Sequence, residues 1–148
     1  MRSRMALCAV LACGAVLTVP APVSADGNQQ RMLHVLNAVR AQHGLAAFQG
    51  SPSLHRSASA YARWMLRSEY FGHLSRIRAS GRFSSLGEAL AWHSGRGAHV
   101  SSTVRRWMQS PPHRALILHS GFRWVGAGMA HGRLQGQRAT TWVLHFGG

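Results

Sequence analysis

Acidic side chains are so few in this sequence that the chemistry open to it can be enumerated. They are Asp26, Glu69 and Glu88, set against 17 arginines, no lysine and ten histidines in 148 residues. A Ser-His-acid triad needs a carboxylate to orient its imidazole. Only Glu69 or Glu88 could serve, because Asp26 adjoins an expected processing site and a frayed terminus. A carboxylate pair of the glycosidase kind could only be Glu69 with Glu88. No Gly-x-Ser-x-Gly elbow, phosphate-binding glycine loop or dinucleotide fingerprint occurs. The strongest remaining chemistry is a histidine–glutamate site.

Two histidines stand out by context, and the other eight are read as surface or satisfied core residues. His73 ends the run Tyr70-Phe71-Gly72-His73, and His113 lies in Ser110-Pro111-Pro112-His113-Arg114. With Ser110 as a helix cap, His113 takes the third position of that helix. The positive end of the peptide dipoles there disfavours imidazolium and favours the neutral ring, which ligates metal or accepts a proton. Glu88 sits in the apolar run Leu86-Gly87-Glu88-Ala89-Leu90-Ala91, where an unpaired carboxylate would be costly. It is either a buried anchor, accepting backbone N–H bonds or an arginine partner, or a functional acid. Glu69, between Ser68 and Tyr70 at a helix end, reads as a solvated charge.

The elements that must position these residues begin after an export signal. Arg2 and Arg4 precede the apolar stretch Met5 to Val19, Pro20-Ala21-Pro22 breaks it, and Val23-Ser24-Ala25 offers a small-residue cleavage site. The stretch falls short of the roughly 20 apolar residues of a membrane span. Residues 1–25 are therefore expected to be a signal peptide cleaved after Ala25, making the protein secreted; acylation at Cys13, as a lipoprotein, is the lesser alternative. Cleavage removes both cysteines, Cys8 and Cys13. That excludes disulfides, thiol catalysis and cysteine-ligated zinc from the remainder. A short tail, residues 26–31, and one domain, residues 32–148, are left, as the length suggests. The arginines are scattered, with no basic run and no nucleic-acid motif, so no specific nucleic-acid partner is expected. Complete replacement of lysine points to nucleotide bias more than to a dedicated surface, yet adhesion to an anionic envelope or membrane surface follows from the charge.

Within the domain, Met32, Val35, Leu36 and Val39 recur at helical spacing and Gly44 closes the segment. Ser51-Pro52 supplies a cap and a first-turn proline for a second helix, with Leu54, Ala58, Tyr61, Ala62 and Met65 buried. Residues 70–97, rich in Gly and Ser, predict a loop with little regular structure. Val100 to Gln109 fits a third helix with Val104, Trp107 and Met108 inward. Ser110-Pro111-Pro112 ends it and starts a short fourth through Leu118. Trp124 to Ala130 predicts a strand, and Thr140, Trp142, Leu144 and Phe146 alternate along another, with a hairpin connection across 131–138. Helices first and an antiparallel sheet last indicate α+β layering.

Several stretches, in order, resemble a known family. They are Asn37-Ala38-Val39-Arg40-Ala41-Gln42-His43-Gly44-Leu45, Tyr70-Phe71-Gly72-His73, Arg76-Ile77-Arg78-Ala79-Ser80-Gly81, Gly87-Glu88, Trp107-Met108-Gln109-Ser110-Pro111-Pro112-His113-Arg114 and Phe122-Arg123-Trp124-Val125-Gly126-Ala127-Gly128. The sequence is similar to the CAP superfamily (cysteine-rich secretory proteins, antigen 5, pathogenesis-related 1; the SCP domain), in its short cysteine-free bacterial branch. The resemblance implies an α-β-α sandwich with a central antiparallel sheet and a cleft lined by two histidines and two glutamates. Carried over by position, the cleft residues are His73, Glu88 and His113, while the second glutamate falls at Ser110. One acid is therefore missing. Gly87-Glu88-Ala89 also replaces Gly-Glu-Asn, Pro112 replaces a glycine and Leu116 an asparagine. Arg76 follows His73 so closely that the cleft rim is expected to be short and open.

Three functions follow as expectations. The resemblance implies a binding module for a lipid, sterol or envelope-associated ligand. It also implies a divalent cation such as Zn2+ on His73 and His113, with Glu88 as a third ligand and an open position for water; hydrolysis does not follow from that. A Ser-His-Glu hydrolase of peptides or esters would use Ser110 or Ser75 with His113 and Glu88. It ranks last, since no oxyanion hole or strained nucleophile turn is evident, and an enzyme is not the leading reading.

Overall fold

The computed structural model describes residues 25–148 except Ser75 and Arg82; the expected signal segment up to residue 24, with Cys13, and Ser75 lie outside the described residues. The first helix, α1, is Ala25–Gln42, so residues 26–31, expected as a tail, form its opening turns. It stops where Gly44 takes the left-handed backbone, φ 68°, after which Leu45 N–H returns to the Arg40 carbonyl at 3.0 Å. A two-residue strand, β1 (Gln49–Gly50), leads to α2 (Pro52–Arg67). As expected, Ser51 caps α2, its hydroxyl accepting the Leu54 N–H, and Pro52 opens the first turn. All five residues expected on the buried face are buried. The remaining helices, α3 (Val100–Gln109) and α4 (Pro111–Ile117), sit where the spacing and the Ser-Pro-Pro break place them.

The region 70–97 departs from the loop expected of it: Leu86–Ser94 forms a nine-residue strand, β2. Its mixture of Ala, Gly and large apolar residues hides the alternation. The last two strands, β3 (Trp124–Leu134) and β4 (Gln137–Gly147), outrun their expected lengths. They meet at the two-residue turn Gln135-Gly136, φ 52° and 76°, the geometry that matches strand twist. The sheet runs β1-β3-β4-β2, antiparallel except for the short parallel β1–β3 pair. Strand β4 is therefore central, and residues 139–147 are all buried rather than alternating. Trp142, Leu144 and Phe146 pack with Met32, Leu36, Val104 and Trp107 from α1 and α3. Val143, on the other face, packs with Ala58, Ala62 and Met65 of α2. The α-β-α sandwich expected from the resemblance is thus present.

Two features set the spacing of these layers. A Cβ on Gly126 would lie 2.1 Å from His55 N, and one on Gly128 2.3 Å from the Ala58 carbonyl carbon and Ser59 N. The α2 backbone therefore rests directly on β3. On the opposite face Arg40 is 2% exposed. Its guanidinium lies 3.9 Å over the Phe48 ring and donates to the carbonyls of Ala46, Ile117 and His119 at 2.7, 2.8 and 3.1 Å. It ties α1 to the C-terminal end of α4, where exposed carbonyls attract a cation.

Candidate functional site

Strand β2 is a sheet edge, and its register places Glu88 directly opposite His145 of β4. Both point to the face covered by α2, in phase with Leu90 and Val143. His145 Nε2 donates to Glu88 Oε2 at 3.0 Å. The carboxylate is 6% exposed and the imidazole fully buried. Past α2 the chain reverses: Glu69 adopts φ 46°, Tyr70 N–H bonds the Met65 carbonyl, and the Tyr61 hydroxyl donates to the Gly72 carbonyl. This reversal lays His73 over the strand. His73 Nδ1 lies 2.9 Å from Glu88 Oε1, which also accepts the Leu74 N–H at 3.0 Å. Glu69 stays exposed in the turn.

Burial alone would push the Glu88 carboxyl up. Hydrogen bonds from His145, the Leu74 N–H and His73, helped by the charge of His145, outweigh it and hold the group below the usual carboxylate range. The carboxylate in turn raises the Tyr61 hydroxyl, already raised by burial, to about 12. Thus Glu88 is anchored by a backbone N–H, as foreseen, but its side-chain partners are imidazoles and not an arginine. His145 was not singled out from the sequence. The signal was there: a lone polar residue in Trp142-Val143-Leu144-His145-Phe146, complementary to a lone acid in another apolar run.

His113 is the third residue of α4, as expected, and its Nδ1 lies 2.9 Å from Ser110 Oγ. Ser110 is the cap residue by backbone, but its hydroxyl serves His113 rather than a helix N–H. The ring is held below the usual imidazole range by burial first and by the charge of neighbouring His73 second. The structure thus joins His73 with Glu88, brings His113 within electrostatic reach of His73, and joins the Ser110 hydroxyl to His113. Among the described residues no hydrogen bond links Ser110 or His113 to Glu88. Nor, among them, is any group of three or more His, Cys, Asp or Glu arranged to hold a metal ion.

The depression over β2 has a volume of about 540 Å³ and is lined by His73, Leu74, Arg76, Ile77, Leu86 and Glu88. Its rim is open: the His73 side chain is 61% exposed. Beside it, Tyr61 stacks on Trp64 with centroids 5.6 Å apart, and Trp64 meets the edge of Tyr70. Trp64, Tyr70 and Phe71 are exposed. A separate apolar groove of about 290 Å³, with Leu33, Leu36, Pro52, Val125 and Ala127 in its walls, runs between α1 and the start of α2.

A three-layer sandwich with a histidine-flanked glutamate at the edge of its sheet defines a recognisable class. A profile of the cysteine-rich secretory protein family, CAP, matches residues 33–146, and the chain belongs to that family. It is 29% identical over 121 residues to the uncharacterized protein YkwD of Bacillus subtilis, a match covering 75% of this chain and 46% of the relative. An extracellular SCP-domain protein from Bacillus anthracis superposes with a TM-score of 0.66 at 20% identity, over 82% of this chain and 40% of that one. NaASP2, in a crystal structure with Zn2+, superposes with a TM-score of 0.63 at 12% identity, over 86% and 83% of the two chains. The chain thus spans less than half of the Bacillus relatives it matches.

Proposed function

We propose that the protein is an exported binding module, whose cleft takes a lipid, sterol or other envelope-associated ligand beside a divalent cation carried by His73 and His113. The observation that carries this reading is the state of Glu88. Both its oxygens are engaged, by His145 on one side and by His73 and Leu74 on the other. Three hydrogen bonds hold it in place, which supports a positioning role, and among the described residues none of its bonds reaches Ser110 or His113. The exposed aromatic shelf and the apolar groove supply surfaces for an amphiphile.

The donor set suits a metal. Each candidate ligand has its Nδ1 fixed by an outer partner, Glu88 for His73 and Ser110 for His113. That is how ligating histidines are commonly oriented, and it leaves Nε2 for the ion. Glu88 thus acts behind His73 rather than as the third ligand expected from the sequence. A bound ion would supply Lewis acidity at the cleft; two protein ligands suit a site completed by water or by ligand oxygens. NaASP2, which has a similar fold, was crystallised with Zn2+, which supports the reading.

Zinc at about 100 times its dissociation constant should stabilise the protein by about 2.7 kcal/mol, and the combined H73A and H113A substitutions should remove the shift. The affinity should fall below about pH 6, where imidazoles charge. Equal zinc response in wild type and double variant refutes the metal reading. Mass spectrometry of protein purified from its native host should reveal a bound amphiphile; an empty cleft indifferent to added lipid refutes the binding module. Turnover of a peptide or ester that vanishes in E88Q would replace it with a hydrolase.

A further inference from the structure

At the far end of β2 from Glu88 the sheet carries a second group of titratable side chains. The register aligns His93, Thr140 and His131 in one row across β2, β4 and β3. They lie in phase with Ala91, Trp142 and Met129, on the face packed against α1 and α3. His131 Nδ1 lies 2.8 Å from Thr140 Oγ1, which donates to the Gly95 carbonyl at 2.8 Å. The hydroxyl proton is spent on Gly95, so His131 Nδ1 is the donor of that pair. His99 stands edge-on to His93, with ring centroids 4.6 Å apart. Between them and α3 lies a cavity of about 230 Å³, lined by His93, Ser94, His99, Ser102, Thr103 and Arg106. His93 Nε2 is inaccessible and has no hydrogen-bond partner.

The field at this rim is positive and uncompensated. Among the described residues, none of His93, His99, His131, Arg96 and Arg106 forms an ion pair. Burial, then the charges of His99 and Arg106 acting against the pull of the Ser94 and Ala98 carbonyls, lowers His93. Burial and Arg96 lower His131. The permanent charge at this rim is that of Arg96 and Arg106.

We infer that this rim binds a tetrahedral oxyanion, a phosphoryl or sulfuryl group, between the Arg106 guanidinium and the His99 imidazole, with the His93 ring as the wall behind them. A guanidinium fork with ring N–H and hydroxyl donors matches such an anion. A metal ion is disfavoured in the same cavity because it would sit beside a permanent cation with no carboxylate to offset it. The site lies outside the Glu88 cleft and does not depend on the function proposed for that cleft.

The test is calorimetric titration of the intact protein with sodium sulfate at pH 6, at constant ionic strength in chloride. Sulfate keeps its charge there, and a single saturable site is expected. R106Q and H99N should each weaken it about tenfold, the scale of one charge-assisted hydrogen bond; asparagine also tolerates the left-handed backbone of residue 99 (φ 45°). R123Q, an exposed arginine at the start of β3, should leave it unchanged. Absence of saturation over the chloride control, or equal weakening by R123Q, overturns the inference. A second arm separates the sources of the anion. Co-sedimentation with phosphatidylglycerol vesicles that is displaced by inorganic phosphate and lost in R106Q identifies a lipid headgroup. Saturable phosphate binding without co-sedimentation identifies a free oxyanion.

Discussion

Substituting Glu88 by glutamine tests whether three hydrogen bonds tie the segment after α2 to the edge of the sheet. The carboxylate is 6% exposed and accepts from His73, Leu74 N–H and His145 at 2.9, 3.0 and 3.0 Å. An amide keeps an acceptor on one side only. Either His145 or the His73–Leu74 pair must then face an NH2 group. A buried hydrogen bond to a charged group contributes about 1.5–3 kcal/mol, so E88Q should lose about 2–3 kcal/mol at pH 7. For a domain of this length that is roughly 10 °C in Tm. The pH dependence has a definite sign. The folded protein holds Glu88 below its ordinary value, so its contribution is complete above the ordinary carboxylate range, near pH 4–4.5. It is lost as the pH falls through the lower folded value. Thermal melts followed by circular dichroism from pH 7 to pH 3 should show wild type and E88Q converging in acid. Equal Tm values at pH 7, or a gap that persists undiminished at pH 3, would refute the account.

Two further substitutions probe the frame that holds the site. G128A should cost about 3 kcal/mol or more and deplete folded protein, because its Cβ would lie 2.3 Å from α2 backbone atoms that cannot rotate away. G50A, whose Cβ meets only the end of Leu33 at 3.6 Å, should melt close to wild type. R40M should lower the urea midpoint by the equivalent of at least about 3 kcal/mol, since it strands the carbonyls of Ala46, Ile117 and His119. R40K should recover only part of that, because one ammonium cannot reproduce the fork; full recovery would show that charge alone matters.

The helices were legible because their signals are local. Ser51-Pro52 starts α2, and Ser110-Pro111-Pro112 separates α3 from α4. Strand β2 was not legible because its Ala, Gly and large apolar residues show no alternation, and β4 only in outline, because periodicity reports a single buried face and helices cover both faces of β4. His73, Glu88 and His113 were distinguished by context and given cleft roles by family resemblance. His145 escaped both routes, since its meaning lies in register with a residue 57 positions away. Arg40 looked like one more scattered cation, and only the carbonyls at the end of α4 explain its burial. The pairing at Glu88 carries a further consequence. With 17 arginines in the chain, a guanidinium partner would have fixed the charge of that carboxylate permanently. Two imidazoles, one buried and one 61% exposed, anchor it instead.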